Sequence, residues 1–344
     1  MILWRLHLAA ARTIDMCMRR LVDDTKKLTW RGYSAFRPAV ELCFSFPSAQ
    51  NISTLTSRHH FTMDLGMKAK IRASIRSRHF SSHHSRVITA VDGFALYGRP
   101  HDEKAIGHDS YFIAETKNFT ALGVADGVTQ WMFSGINPAK FSVSLMENCY
   151  HSAIRGVSSP LSILQEAYLT LQAVRPKIIG SSTACLAVIE DNMLRTANLG
   201  DSGFIVIRQS SIIHASSPQQ HFLNCPYQLT ISPDEDYDQC VHDSPDMADL
   251  ASIRLENRDV ILLGTDGLFE NLDQEHILDN FARVKDINEK SLHTFLRSLV
   301  DDSRGMSYEV DELSPFAREA SRLYFQRYKG GRPDDITAVV AAIV

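Results

Sequence analysis

The chain has 344 residues, 44% of them hydrophobic and 22% charged, with a formal net charge of −4; that is enough chain to bury a full core and an ordinary composition for a folded soluble domain. No run approaches 18 uncharged apolar residues, so stable membrane insertion is not expected. Cys17, Cys43, Cys149, Cys185, Cys225 and Cys240 form no Cys-x-x-Cys pair, which argues against a zinc site or a disulfide framework and suits a reducing compartment.

The charge is unevenly spread. Residues 1–90 carry 15 Lys and Arg against 5 Asp and Glu, leaving 21 against 35 for the rest. Met1 to Arg20 sets Arg5, Arg12, Arg19 and Arg20 among Leu and Ala with Asp15 as the single acid, the pattern of an amphipathic transit helix that addresses a chain to an organelle. A secretory signal is disfavoured because Arg5 and His7 interrupt Ile2–Ala11; a basic tail carrying no address is the other reading, with a cytoplasmic location. Aromatic residues are not interleaved with these charges as a nucleic-acid groove requires, so no nucleic-acid partner is expected. Residues 1–86 therefore read as a leader and 87–344 as one folded domain.

Within that domain the predicted strands are Ser110–Ala114, Phe119–Ala125, Thr183–Ile189, Leu194–Leu199, Phe204–Ile207, Val260–Gly264 and Ile336–Val344, all short and rich in β-branched or aromatic residues. Predicted helices are Pro138–Arg155, Leu161–Val174, Gln274–Val284, Glu289–Asp302 and Pro315–Tyr328. Grouped strands and grouped helices predict an α+β fold, an antiparallel sheet system covered by helices, and exclude the alternating order of a doubly wound sheet. Residues 214–252, rich in Ser, Pro, Asp and Gln, read as a long irregular excursion.

The chemistry concentrates at strand ends. Leu122-Gly123-Val124-Ala125-Asp126-Gly127 is an apolar strand stopping at Asp-Gly; Asn198-Leu199-Gly200-Asp201-Ser202-Gly203 and Leu263-Gly264-Thr265-Asp266-Gly267 repeat the design. Any one of these is commonly a turn and nothing more, because Asp bonds its own backbone and Gly accepts positive φ. Their recurrence changes the balance, since carboxylates gathered in one place repel unless a cation sits among them. Hard ions such as Mg²⁺ and Mn²⁺ prefer such oxygens. His108-Asp109 opens another strand, and Pro333-Asp334-Asp335-Ile336-Thr337 precedes the last.

Taken in order, His108-Asp109, Asp126-Gly127, Gly180-Ser181-Ser182-Thr183-Ala184, Gly200-Asp201-Ser202, Thr265-Asp266-Gly267 and Pro333-Asp334-Asp335 resemble the motifs of the type 2C, or PPM, protein phosphatases. The stretches Thr196–Phe204 and Asp243–Asp249 resemble its mitochondrial branch, typified by the T-cell activation phosphatase. The resemblance implies a β-sandwich flanked by helix pairs in α/β/β/α layers, hydrolysis of phosphoserine and phosphothreonine in protein substrates, and two Mn²⁺ or Mg²⁺ ions. It implies that Asp126 bridges the ions, that Gly127 adds its carbonyl, that Asp266 and Asp334 ligate one of them, that Asp109 holds metal-bound water, and that Asp201 attends a weaker third. Lys104 stands where the family places a phosphate-gripping Arg. The chain departs from the pattern at His108, where an acid is usual, and at Thr129-Gln130, where glycines are usual. A catalytically dead adaptor and a hydrolase of a small phosphoester are the competing readings.

Overall fold

The computed structural model describes residues 86–97, 105–233 and 240–344; the leader expected over 1–86, apart from Arg86, and Lys104 lie outside the described residues. Strands in chain order are β1 Val87–Phe94, β2 Ala105–Ile106, β3 Asp109–Glu115, β4 Thr120–Ala125, β5 Gly180–Ser182, β6 Ala184–Glu190, β7 Met193–Leu199, β8 Gly203–Arg208, β9 Ser211–Ala215, β10 Gln220–Phe222, β11 Cys225–Pro226, β12 Leu229–Ile231, β13 Asp249–Arg254, β14 Val260–Gly264 and β15 Ile336–Ile343. Helices are α1 Ala139–Ile154, α2 Pro160–Ala173, α3 Asp266–Phe269, α4 Gln274–Phe281, α5 Glu289–Ser307 and α6 Pro315–Tyr324.

Two antiparallel sheets stack face to face, one ordered β1-β15-β14-β8-β9 and the other β13-β7-β6-β4-β3-β2. Alternation along each central strand builds the layers, because successive side chains point to opposite faces. In β4, Leu122 and Val124 enter the core between the sheets while Ala121 and Ala125 face α1 and α2. In β15, Val339, Ala341 and Ile343 enter the core between the sheets while Ile336, Ala338, Val340 and Ala342 face α3, α4 and α5. Strands buried on both faces read as continuous apolar runs, which is why β14 and β15 stood out in the sequence. Cys185 is a fully buried member of the core between the sheets, a packing residue.

Helix boundaries follow from caps. Ser159 accepts from Ser162 N with Pro160 opening α2, Asp273 accepts from His276 N ahead of α4, and Ser314 accepts from Ala317 N with Pro315 opening α6. Asn288 and Ser291 cap α5 reciprocally. No helix among the described residues is long and apolar enough to cross a membrane.

The excursion expected at 214–252 is not irregular in its described part. It carries the end of β9, then β10, β11, β12 and most of β13, which runs beside β7 from Asp249 opposite Asn198 to Arg254 opposite Met193. The polar composition misled because β13 is an edge strand with exposed side chains; an edge needs little apolar content, and charge there protects it.

Candidate metal centre

The strand register brings the acidic residues to one end of the sandwich. Ser110, next to Asp109, pairs with Ala125, next to Asp126; Ala184 pairs with Leu199, so Thr183 and the Gly200-Asp201 turn lie at the same end. On the facing sheet Gly264 pairs with both Gly203 and Ala338, which delivers Thr265-Asp266 and Asp334-Asp335 to that end too. Asp109, Asp126, Asp201, Asp266 and Asp334 are thus gathered at that end.

Hydroxyls fix the arrangement. Thr265 Oγ1 and Thr337 Oγ1 each donate to Asp109 Oδ2 at 2.8 Å, and Thr337 N donates to Thr265 Oγ1. Asp126 N donates to Thr183 Oγ1, whose partner in turn is Ser202 Oγ at 2.7 Å, tying the Asp126 loop to the Asp201 turn. The backbone of Thr183 donates to the Asp126 carbonyl, and Val128 N donates to Ser181 O. Trp131 Nε1 donates to Ser181 Oγ at 2.7 Å, anchoring the 3₁₀ turn Thr129–Ser134.

The two neighbouring acids near the C-terminus separate by role. Asp335 is a knot of the backbone: Oδ1 accepts from Leu96 N and Tyr97 N, and Oδ2 accepts from His108 N at 2.7 Å. Gly107 makes room for it, since a Cβ there would lie 2.1 Å from Asp335 Oδ1 and its φ of +68° suits glycine. Asp334 turns instead toward Arg332, whose Nη2 is 3.0 Å from Asp334 Oδ2.

His108 is buried and its imidazole is pushed down to about 4 by burial, so the ring is neutral near pH 7. It stacks on Tyr97, and its Nδ1 lies 3.2 Å from Thr129 Oγ1. Two departures from the family pattern thus touch each other. The His108 carbonyl accepts from Gly127 N and from Ser142 Oγ.

Sequence reasoning missed Glu270 and Arg332. Glu270 lies one helical turn past Asp266, a spacing that shares a face, and Asp201, Asp266 and Glu270 each bring an oxygen within 4.8 Å of the others. Arg332 ion-pairs with Asp266, Glu270 and Asp334. Nothing in its surroundings in the chain distinguishes it from a surface arginine of a polar turn. Gln220, inside the supposed excursion, donates to Asp201 Oδ2 at 2.8 Å.

The carboxylates raise one another. Asp126 is pushed well above the carboxylate range by burial first and then by Asp266, Asp109, Asp334 and Asp201; Asp109 is pushed up by burial, Asp335 and Asp266. Burial chiefly moves Asp201 and Asp334 to about 7, and Glu270 and Asp335 to about 8. Asp109 Oδ1, Asp201 Oδ1 and Asp266 Oδ1 are buried without a hydrogen-bond partner. Buried orphan acceptors are costly, and hard divalent cations relieve that cost with a fitting donor set. These residues could hold such ions.

A pH dependence follows. Between pH 6.5 and 8.5 the unfolded carboxylates are all ionised, whereas the metal-free native state keeps protons on groups titrating near 7 and 8. The native state binds more protons, so its stability falls as pH rises through this window. The melting temperature in EDTA should drop by roughly 5–10 °C from pH 6.5 to 8.5, and excess Mn²⁺ should remove the drop; a flat EDTA profile would contradict it.

The stage II sporulation protein E (SpoIIE) family model matches residues 134–343. The chain is 38% identical over 265 residues to the Xenopus laevis protein phosphatase PTC7 homolog, covering 75% of this chain and 89% of that one. It is 38% identical over 242 residues to the Homo sapiens protein phosphatase PTC7 homolog, covering 69% and 79%. The X-ray structure of the photosystem II phosphatase PBCP superposes with a TM-score of 0.64 at 25% identity, covering 75% of this chain and 99% of that one. With the layered sandwich and the acidic motifs in order, the chain belongs to the type 2C, or PPM, family of metal-dependent serine/threonine protein phosphatases.

Proposed function

We propose that the acidic end of the sandwich is the active site, and that it removes phosphate from phosphoserine and phosphothreonine in protein substrates with two divalent ions, Mn²⁺ or Mg²⁺. Asp126 and the Gly127 carbonyl, with Asp266 and Asp334, would hold the ions, and Asp109 and Asp201 would complete the acidic shell. Bound there, the ions supply an activated water and neutralise phosphoryl charge. The carrying observation is the convergence of these carboxylates with three buried oxygens left without partners.

The protein's own groups set the conditions for that chemistry. Thr265 and Thr337 fix Asp109 in one orientation by donating to a single oxygen, which leaves Asp109 Oδ1 aimed as an acceptor. Thr183 and Ser202 hold the Asp126 and Asp201 loops at constant separation. Neutral His108 adds no charge to the site while its carbonyl anchors Gly127. Lys104 is proposed as a point-charge phosphate contact.

The test is the full chain with a phosphothreonine peptide, with Mn²⁺ and with EDTA. Turnover that needs the metal is expected. Absent turnover would favour the adaptor, and preference for a small phosphoester over every phosphopeptide would favour the other hydrolase. The basic leader and the resemblance to the mitochondrial branch support a mitochondrial location. Residues 1–40 fused to a fluorescent reporter should accumulate in mitochondria, and a diffuse signal would reject that address.

A further inference from the structure

Residues 128–137 form a loop that leaves the acidic end and returns to it. A Cβ on Gly127 would lie 2.7 Å from the His108 carbonyl oxygen and 2.8 Å from that of Pro138, so both ends of the loop meet beside Asp126-Gly127. Its middle is the 3₁₀ turn Thr129–Ser134, which carries two large apolar side chains outward: Met132 is 47% exposed and Phe133 75%. Single exposed apolar residues are ordinary on a protein surface. Two in succession, on a loop rooted in an acidic site, form a small apolar platform at its rim.

The loop is braced at several points. Trp131 is buried with its Nε1 donating to Ser181 Oγ at 2.7 Å, Val128 N donates to Ser181 O, and Ile136 N donates to Trp131 O. Thr129 Oγ1 lies 3.2 Å from His108 Nδ1. Gly135 closes the turn at a φ of 73°, with its N–H bonded to Met132 O, and Asn137 Oδ1 accepts from Ala139 N at the start of α1. Trp131 thus anchors the turn inward while the next two side chains stay out. Apolar groups presented on a fixed backbone give up little conformational freedom when a ligand covers them, which favours binding.

We propose that Met132 and Phe133 are specificity-determining residues, contacting an apolar side chain of the protein substrate within about four residues of its phosphorylated Ser or Thr. The inference rests on the phosphatase reading of the acidic end. Two extended residues and a 3₁₀ turn rising about 2 Å per residue put Phe133 at most about 15 Å from Gly127. An extended peptide advances about 3.3 Å per residue, so four residues and the facing side chains cover that span. The occupant is a substrate segment because the platform is continuous with Asp126-Gly127: a chain whose phosphate reaches the acids lies over the surface next to them. Such a contact is remote from the phosphorus and is made alike in the ground and transition states, so it acts on KM.

Steady-state kinetics of the full chain with Mn²⁺ test this on polar phosphothreonine peptides carrying a single Leu or a single Ser at each of the four positions on either side. At one position or more, Leu should raise kcat/KM over Ser by about fivefold or more, through a lower KM. Phe133→Ser and Met132→Ser should shrink that ratio toward one; a loss of folded protein cancels in the ratio. Ile154→Ser is the control, an exposed residue at the far end of α1, about 22 Å from the start of that helix, and it should leave the ratio intact. A ratio near one at every position in wild type would overturn the inference, as would a ratio that survives both loop substitutions or lies in kcat alone. No Mn²⁺-dependent turnover of any peptide would instead remove the phosphatase reading, a different result. Sedimentation velocity examines the other occupant: wild type and Phe133→Ser should be alike in size. A wild-type dimer that Phe133→Ser dissociates would overturn the inference by showing that a second copy of the chain covers the platform.

Discussion

Asp126→Asn should lower kcat/KM on a phosphothreonine peptide by about a thousandfold or more, equivalent to roughly 4 kcal/mol of transition-state stabilisation. Asp126 sits at the focus of the cluster: Asp266, Asp109, Asp334 and Asp201 all act on it. An amide there removes one negative charge and one acceptor pair from the ions while preserving shape. The same change should raise the melting temperature in EDTA, because metal-free carboxylates repel one another. It should also abolish most of the stabilisation that Mn²⁺ gives wild type. Opposite signs with and without metal separate a functional carboxylate from a structural one. A variant that lost activity by unfolding would melt lower in both conditions.

Gly267→Ala should cost about 2–3 kcal/mol of stability, or roughly 5–10 °C in melting temperature, and should weaken Mn²⁺ binding as well. A Cβ at Gly267 would lie 2.0 Å from the carbonyl oxygen of Asp335 and 3.3 Å from Ile336 Cγ1. The Asp266 and Asp334 segments are therefore seated against each other backbone to backbone, and the methyl would separate them. Gly305→Ala is the control. Gly305 lies in α5 with nothing within 4 Å of its would-be Cβ, so alanine there should stabilise by about 0.5–1 kcal/mol through helix propensity and a less flexible unfolded chain. Thermal melts of the two variants in one buffer check both signs. Equal shifts would show that the close approach at Gly267 yields easily.

The legible parts of the sequence were those where one physical signal dominates. β4, β14 and β15 are buried on both faces, so their apolar runs are unbroken and their ends carry Asp126, Asp266 and Asp334. β13 was illegible because an edge strand has exposed side chains and reads as polar loop. β1 was missed as a strand because Asp92 interrupts its apolar pattern; that carboxylate is buried and meets Arg297 from α5, a partner more than 200 residues away.

At the site the acids were legible as a recurring strand-end pattern, whereas their organisers were not. The threonines and serines that aim the carboxylates look like ordinary motif filler until Thr265 and Thr337, from neighbouring strands, meet on Asp109. The resemblance pointed to Asp334 over Asp335, but the physical reason waits on tertiary structure, since only the backbone of Leu96, Tyr97 and His108 shows that Asp335 is already engaged.

Anomalous diffraction from crystals of the full chain grown with Mn²⁺ examines the central assignment most directly. Two peaks should lie among Asp126, Asp266 and Asp334, with the Asp126 carboxylate shared between them. Well-ordered carboxylates at saturating Mn²⁺ with no peak among them would contradict it.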